Sequence, residues 1–120
     1  MKLMLADDHP LFLEGLQYLL ETYGIEVAGV ARDGKEAIMK ARTLHPDIIL
    51  MDIKMPEMNG LEATLIIREA NKEIPIIAQS AFAFEDDRKR AIDCGCTDFI
   101  AKPFTKRQLS DVIMRHLPRS

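Results

Sequence analysis

Five short apolar runs punctuate the chain, at residues 3–6, 26–30, 48–51, 74–78 and 99–101. Most are continuously apolar rather than alternating, the pattern of strands covered on both faces, as in a parallel sheet flanked by helices. Between the runs, apolar positions recur with helical spacing. Pro10 suits a first helical turn, and Phe12, Leu16, Leu19, Leu20 and Tyr23 follow on one side until Gly24 stops the helix. Asp33 is a candidate cap for a second helix, with Ala37, Ile38, Ala41 and Leu44 as its stripe and Pro46 beyond it. Leu61, Leu65 and Arg68 continue a third after Asn59-Gly60. A fourth runs over about residues 85 to 94, ending at Gly95, with Ala91 and Ile92 inward. In the last, Thr105 caps a stripe of Leu109, Val112, Ile113, His116 and Leu117. Strict alternation of five strands and five helices predicts an α/β fold, an open parallel sheet with helices on both faces.

Composition narrows the class. The chain has 120 residues, enough for one domain with a real core, and no repeat or linker divides it. It is 48% hydrophobic and 29% charged with a formal net charge of -3, which is ordinary for a globular protein. A mildly acidic domain is not expected to bind nucleic acid directly, since that affinity rests on basic groups neutralising phosphates. No apolar run approaches the roughly 18 residues of a membrane span. Met1-Lys2 leads into a short run that soon meets two aspartates, which is not the pattern of a signal peptide. Cys94 and Cys96 flank Gly95, too close for an unstrained disulfide and too few for a metal site; they read as reduced structural thiols, and the expected location is cytoplasmic.

The candidate chemistry lies where the runs stop. The first ends in Asp7-Asp8, the third in Asp52, the fourth in Ser80 and the fifth in Lys102. Parallel strands share a direction, so these ends line one edge of the sheet, where doubly wound folds bind ligands. Three neighbouring carboxylates repel one another, and a hard divalent cation resolves that repulsion. With such a cation present, one carboxylate can act as a nucleophile toward a phosphoryl group and form an aspartyl phosphate. Lys102 would neutralise the transferred oxygens and Ser80 would donate a hydrogen bond to one of them. Each residue alone has an ordinary reading as a cap or loop residue; their joint placement at four strand ends does not. His9 reads as a surface-loop residue, and His45 and His116 show no partner pattern.

The motifs ADD at 6–8, MDIKMPEMNG at 51–60, QSA at 79–81 and AKPF at 101–104 resemble the receiver domain of bacterial two-component response regulators, over essentially residues 1–120. The resemblance implies a flavodoxin-like, doubly wound sheet of order 2-1-3-4-5 with five helices in a three-layer sandwich. It implies Asp52 as phosphoacceptor, charged by a partner histidine kinase or histidine phosphotransfer domain. Asp8, Asp52 and the backbone carbonyl of Lys54 would bind magnesium (or manganese) directly, and Asp7 largely through water. Lys102 would contact the phosphoryl oxygens across a cis peptide to Pro103. Ser80 and Phe99 would form the switch that reshapes the surface of the fourth helix, fifth strand and fifth helix. Phe99 lacks the hydroxyl of the Tyr common there, so its inward and outward positions are expected to differ by packing alone. Lys54 and Phe82 would tune the acyl-phosphate lifetime, with bulky Phe82 slowing hydrolysis.

Such a domain is not an enzyme but a phosphoacceptor that assists its own phosphorylation and dephosphorylation. It would act on a downstream effector or fused output domain, and a phosphorylation-dependent dimer is compatible with it. The last helix ends near Leu117, leaving room for no output module within these residues, so the chain reads as either a stand-alone receiver or part of a longer protein. The opening DDHPLFLEGL is similar to receivers attached to helix-turn-helix DNA-binding domains. The closing QSAFAFEDDRKRAIDCGCTDFIAKPF is similar to receivers fused to sensor kinases. The halves either share a broad family style or come from recombination or engineering. Two other functions compete. An aspartyl-phosphate-forming phosphohydrolase would want an Asp as general acid two residues after the nucleophile, where Lys54 stands. A docking domain without phosphorylation would not need Asp7, Asp8, Asp52, Ser80 and Lys102 together.

Overall fold

A computed structural model describes residues 1–81 and 85–116. Expectations for Phe82 and Leu117 lie outside the described residues. The strands are β1 (Lys2–Ala6), β2 (Glu26–Ala31), β3 (Ile48–Asp52), β4 (Ile76–Ser80) and β5 (Asp98–Ala101). The helices are α1 (Pro10–Thr22), α2 (Gly34–Leu44), α3 (Gly60–Ala70), α4 (Glu85–Asp93) and α5 (Lys106–His116). The strands form one sheet in the order β2-β1-β3-β4-β5, every neighbouring pair parallel. This is the expected flavodoxin-like arrangement.

The period of two along each strand sorts the core into two layers. Leu3, Leu5, Leu50, Ile77 and Ile100 pack with Leu13, Leu16 and Leu20 of α1 and with Leu109, Val112 and Ile113 of α5. Met4, Ala6, Ile49, Met51, Ile76, Ala78 and Phe99 pack on the other face, against Ala37, Leu61, Ala63, Ile67 and Ala91. β1, β3 and β4 are central and buried along nearly their whole length, which explains their unbroken apolar runs. Burial of each large side chain contributes roughly 1.5–3 kcal/mol.

Local signals set the helix ends. Pro10 starts α1 and Gly24, at φ 77°, follows its C-cap. Asp33 accepts a hydrogen bond from Glu36 N at the start of α2. Asn59 and Glu62 form a reciprocal capping box at α3. Thr105 Oγ1 accepts from Gln108 N at α5.

Several inward assignments are corrected. Tyr23 is exposed, because it is the C-cap of α1 and past the last buried turn, whereas Leu13 is buried in the stripe. Leu65 is exposed because the inward slot belongs to its neighbour Thr64, whose hydroxyl bonds Gly60 O at 2.8 Å and so tolerates burial. Ile92 is exposed because Ala91 takes the inward slot of α4. β4 begins two residues later than expected, since Pro75 has no N–H to donate; its carbonyl still accepts from Ile49 N at 2.9 Å. Ser80 is the last residue of the strand itself.

Candidate functional site

The strand order reverses between β1 and β3, and the groups predicted at strand ends meet at their carboxyl edge. Asp7 and Asp8 follow β1, Asp52 ends β3, Ser80 ends β4 and Lys102 follows β5. Asp8, Asp52, Lys54, Ser80 and Lys102 line one open cleft of about 570 Å³. Ligating atoms of Asp7, Asp8, His9 and Asp52 all lie within 4.8 Å of one another.

The three carboxylates differ in how they are satisfied. Asp7 is fully buried. Its Oδ2 accepts from Lys102 Nζ at 2.6 Å and from Gln79 Nε2 at 3.4 Å, and its Oδ1 accepts from His9 N at 3.0 Å. Asp8 and Asp52 are left differently: among the described residues, Asp8 Oδ1 and Asp52 Oδ2 are buried and accept no hydrogen bond. Buried carboxylate oxygens without a hydrogen bond are costly unless a cation meets them. The donor set therefore fits a hard divalent ion, with Asp8 and Asp52 offering the oxygens that protein donors leave open.

Charge in the cleft is unbalanced. Burial, reinforced by the charge of Asp7, pushes the Asp52 carboxyl up to about 6, while Lys102 and His9 pull it back only in part. Lys102 Nζ stands 3.6 Å from Asp52 Oδ1. The bond between Lys102 and Pro103 is cis.

His9 is an exposed loop residue, as expected, but it also reaches the carboxylates. Its side chain is 64% exposed, yet Nδ1 lies 2.9 Å from Asp7 Oδ1, 3.2 Å from Asp8 Oδ1 and 3.9 Å from Asp52 Oδ2. Its hydrogen bond to Asp7 raises the imidazole pKa against the opposing effect of burial. The signal available in sequence was adjacency to the aspartate pair. Gln79, fully buried and bonded to Asp7, was legible only as part of the QSA motif, because an amide next to an apolar run reads as an ordinary strand residue.

The two residues expected to act as a switch share a face of the sheet. Ala78 pairs with Phe99 and Ser80 with Ala101, so by the strand period Ser80 and Phe99 both face α3 and α4. Phe99 is buried, and the Arg88 guanidinium of α4 lies 5.6 Å from its ring centroid. In this position a cation–π contact accompanies the packing of the ring. His116 has a partner after all: its Nε2 lies 2.8 Å from Asp98 Oδ2, beside Arg115 Nη1 at 3.0 Å. Eighteen residues of sequence separate that pair, and only the packing of α5 on β5 joins it. Cys94 and Cys96 are free, and burial pushes the Cys96 thiol up to about 11. Lys54 is exposed at the rim of the cleft, and Phe82 lies outside the described residues.

A doubly wound sheet whose switch point gathers three carboxylates, a hydroxyl and an ammonium belongs to the flavodoxin-like proteins that do phosphoryl or metal chemistry at that edge. Residues 3–114 match the model of the response regulator receiver domain, and the chain belongs to that family. The response regulator protein VraR of Staphylococcus aureus is 36% identical over 115 residues, covering 95% of this chain and 55% of VraR. The chain thus spans about half the length of the curated relatives it matches. The receiver domain of a sensor histidine kinase from Pseudomonas aeruginosa, solved with magnesium coordinated in its active-site cleft, superposes with a TM-score of 0.88 at 32% identity, covering 96% of this chain and 95% of that one. A CheX–CheY–BeF3–magnesium complex from Borrelia burgdorferi gives 0.91 at 27% identity, covering 98% and 90%. The chain is a receiver domain of two-component signalling. Among the described residues no helix is long and apolar enough to cross a membrane.

Proposed function

We propose that Asp52 is the phosphoacceptor, taking its phosphoryl group from a phosphohistidine on a partner kinase or phosphotransfer domain in the cytoplasm. The observation that carries this reading is the pair of buried, unsatisfied oxygens on Asp8 and Asp52 beside the Lys102 ammonium. An Asp52 oxygen attacks phosphorus, the P–N bond to the donor imidazole breaks, and the departing nitrogen keeps the electron pair and takes a proton. Magnesium or manganese, held by Asp8, Asp52 and the Lys54 carbonyl with Asp7 behind, would neutralise charge between acceptor and phosphoryl oxygens. That division of labour suits the contacts: Asp7 already has protein donors on both oxygens, whereas Asp8 and Asp52 each keep one open.

Lys102, held 2.6 Å from Asp7, is close enough to Asp52 to meet the transferred oxygens. Ser80 ends the neighbouring strand and donates its hydroxyl to the new phosphoryl group. The population then shifts toward the state in which Ser80 and Phe99 are repositioned, changing the α4, β5 and α5 surface that an effector, an output domain or a second receiver reads. Lys54 at the rim, with Phe82, governs how water reaches the acyl phosphate. The carboxylate at Asp52 turns over as a modified residue and not as a phosphatase nucleophile, because Lys54 occupies the place of the general acid.

Incubation with acetyl phosphate and magnesium, followed by intact mass measurement, tests the reading. One phosphoryl group should be gained by the wild type, and none without the metal or in Asp52→Ala. Equal mass gain in Asp52→Ala would overturn it.

A further inference from the structure

Phe12 stands in the first turn of α1 and lines the same cleft as Asp52 and Lys102. Lys102 Nζ lies over its ring, 4.2 Å from the centroid. Phe104, two residues past Lys102, meets that ring edge-on, with centroids 5.8 Å apart and planes at 85°. Both rings are partly buried against the layer between the sheet and α1 and α5. We propose that Phe12 is a positioning residue for phosphoryl transfer, its ring face holding the Lys102 ammonium at the acceptor while Phe104 holds the ring. This role rests on the reading of Asp52 as phosphoacceptor.

The physical case begins with the lysine stem. Its four rotatable bonds give it large rotamer freedom, so an ammonium that must arrive at a fixed point needs more than one contact. Asp7, at 2.6 Å, supplies one and draws the ammonium toward the buried side of the cleft. A second carboxylate in place of the ring would also hold the lysine, but it would consume the charge needed at the phosphoryl oxygens. A ring face attracts the cation without neutralising it or exchanging a proton. A neutral ring also makes the same attraction available whether Asp52 is a carboxylate or an acyl phosphate. With the Lys102 side chain only 14% exposed, the attraction is little weakened by water. The edge-on contact from Phe104 is a favoured aromatic geometry and ties the ring to the segment that carries the lysine.

Two measurements on the whole chain decide it. In the first, phenylalanine at position 12 is replaced by mono-, di- and trifluorinated phenylalanine, which keep the ring's shape and progressively weaken its face. The rate of mass gain from acetyl phosphate with magnesium should fall stepwise, by on the order of three- to tenfold at trifluorination. Phe12→Leu should be slow, Phe12→Tyr should restore most of the rate, and in a Lys102→Ala background the fluorine series should be flat. In the second, the Lys102 ε-methylene protons should show an upfield ring-current shift in the wild type that collapses in Phe12→Leu. A flat fluorine series in wild-type Lys102, or no ring-current shift, overturns the role of Phe12 while leaving Asp52 as acceptor. Failure of the wild type to gain mass at all overturns the acceptor reading and this role with it.

Discussion

Asp52→Asn should make the protein more stable at neutral pH while removing the proposed acceptor. Burial and the neighbouring Asp7 hold the Asp52 carboxyl at about 6, against an ordinary value of 3.8. At about 1.4 kcal/mol per pH unit, that gap corresponds to about 3 kcal/mol working against the folded, ionised protein. The direction follows from proton counting. Between about pH 4 and pH 6 the folded chain holds a proton on Asp52 that the unfolded chain releases, so stability falls as pH rises through that window and is flat above it. An asparagine has no charge to bury and keeps nearly the same shape. It forgoes the attraction of Lys102 and must house an amide, so a net gain of about 2 kcal/mol is expected at pH 7.5. Urea unfolding in EDTA should show a midpoint raised by about 1 M with an unchanged slope. Near pH 4 the two proteins should unfold together. Equal midpoints at pH 7.5, or an advantage just as large at pH 4, would refute the claim that Asp52 is ionised at a cost to the fold.

Gly60→Ala should cost about 2 kcal/mol in thermal unfolding and slow phosphorylation, because a Cβ there would press on the backbone oxygen of Asp52 and lie 2.9 Å from Met51 Cγ. Asp98→Asn should cost about 1 kcal/mol at pH 7. Burial works to raise the Asp98 carboxyl, but the His116 hydrogen bond, Phe99 N and the charges of His116 and Arg115 outweigh it and leave it below the usual range. Its contribution is therefore present above pH about 4 and lost on further acidification, so the two proteins should converge in acid titrations followed by circular dichroism. Asn59→Ala removes the reciprocal cap of α3 and should lower stability by about 1 kcal/mol in urea.

The apolar runs determined by themselves where the strands lie to within two residues, because a central parallel strand is buried on both faces and cannot hide its composition. The same logic made the strand-end groups visible: a charge that breaks an apolar run at Asp7, Asp52 or Lys102 stands out against its neighbours. The five strands and the convergence of these groups were therefore legible from residue order and the shared direction of parallel strands. Helix faces were less so. Thr64 took an inward slot that Leu65 was expected to fill, since a hydroxyl bonded to its own helix backbone can be buried as readily as a methyl group.

What the tertiary structure alone decided is which partner each group meets. Residue order placed three carboxylates together but could not distinguish Asp7, saturated by Lys102, Gln79 and His9, from Asp8 and Asp52, each with an open oxygen. Nor could it bring Phe12 over Lys102, Arg88 over Phe99, or His116 to Asp98. Those three contacts join positions eleven to ninety residues apart. The reason is one of range: strand and helix patterns are written by near neighbours along the chain, whereas hydrogen-bond and ring contacts depend on distances of a few ångströms that exist only once the layers have packed.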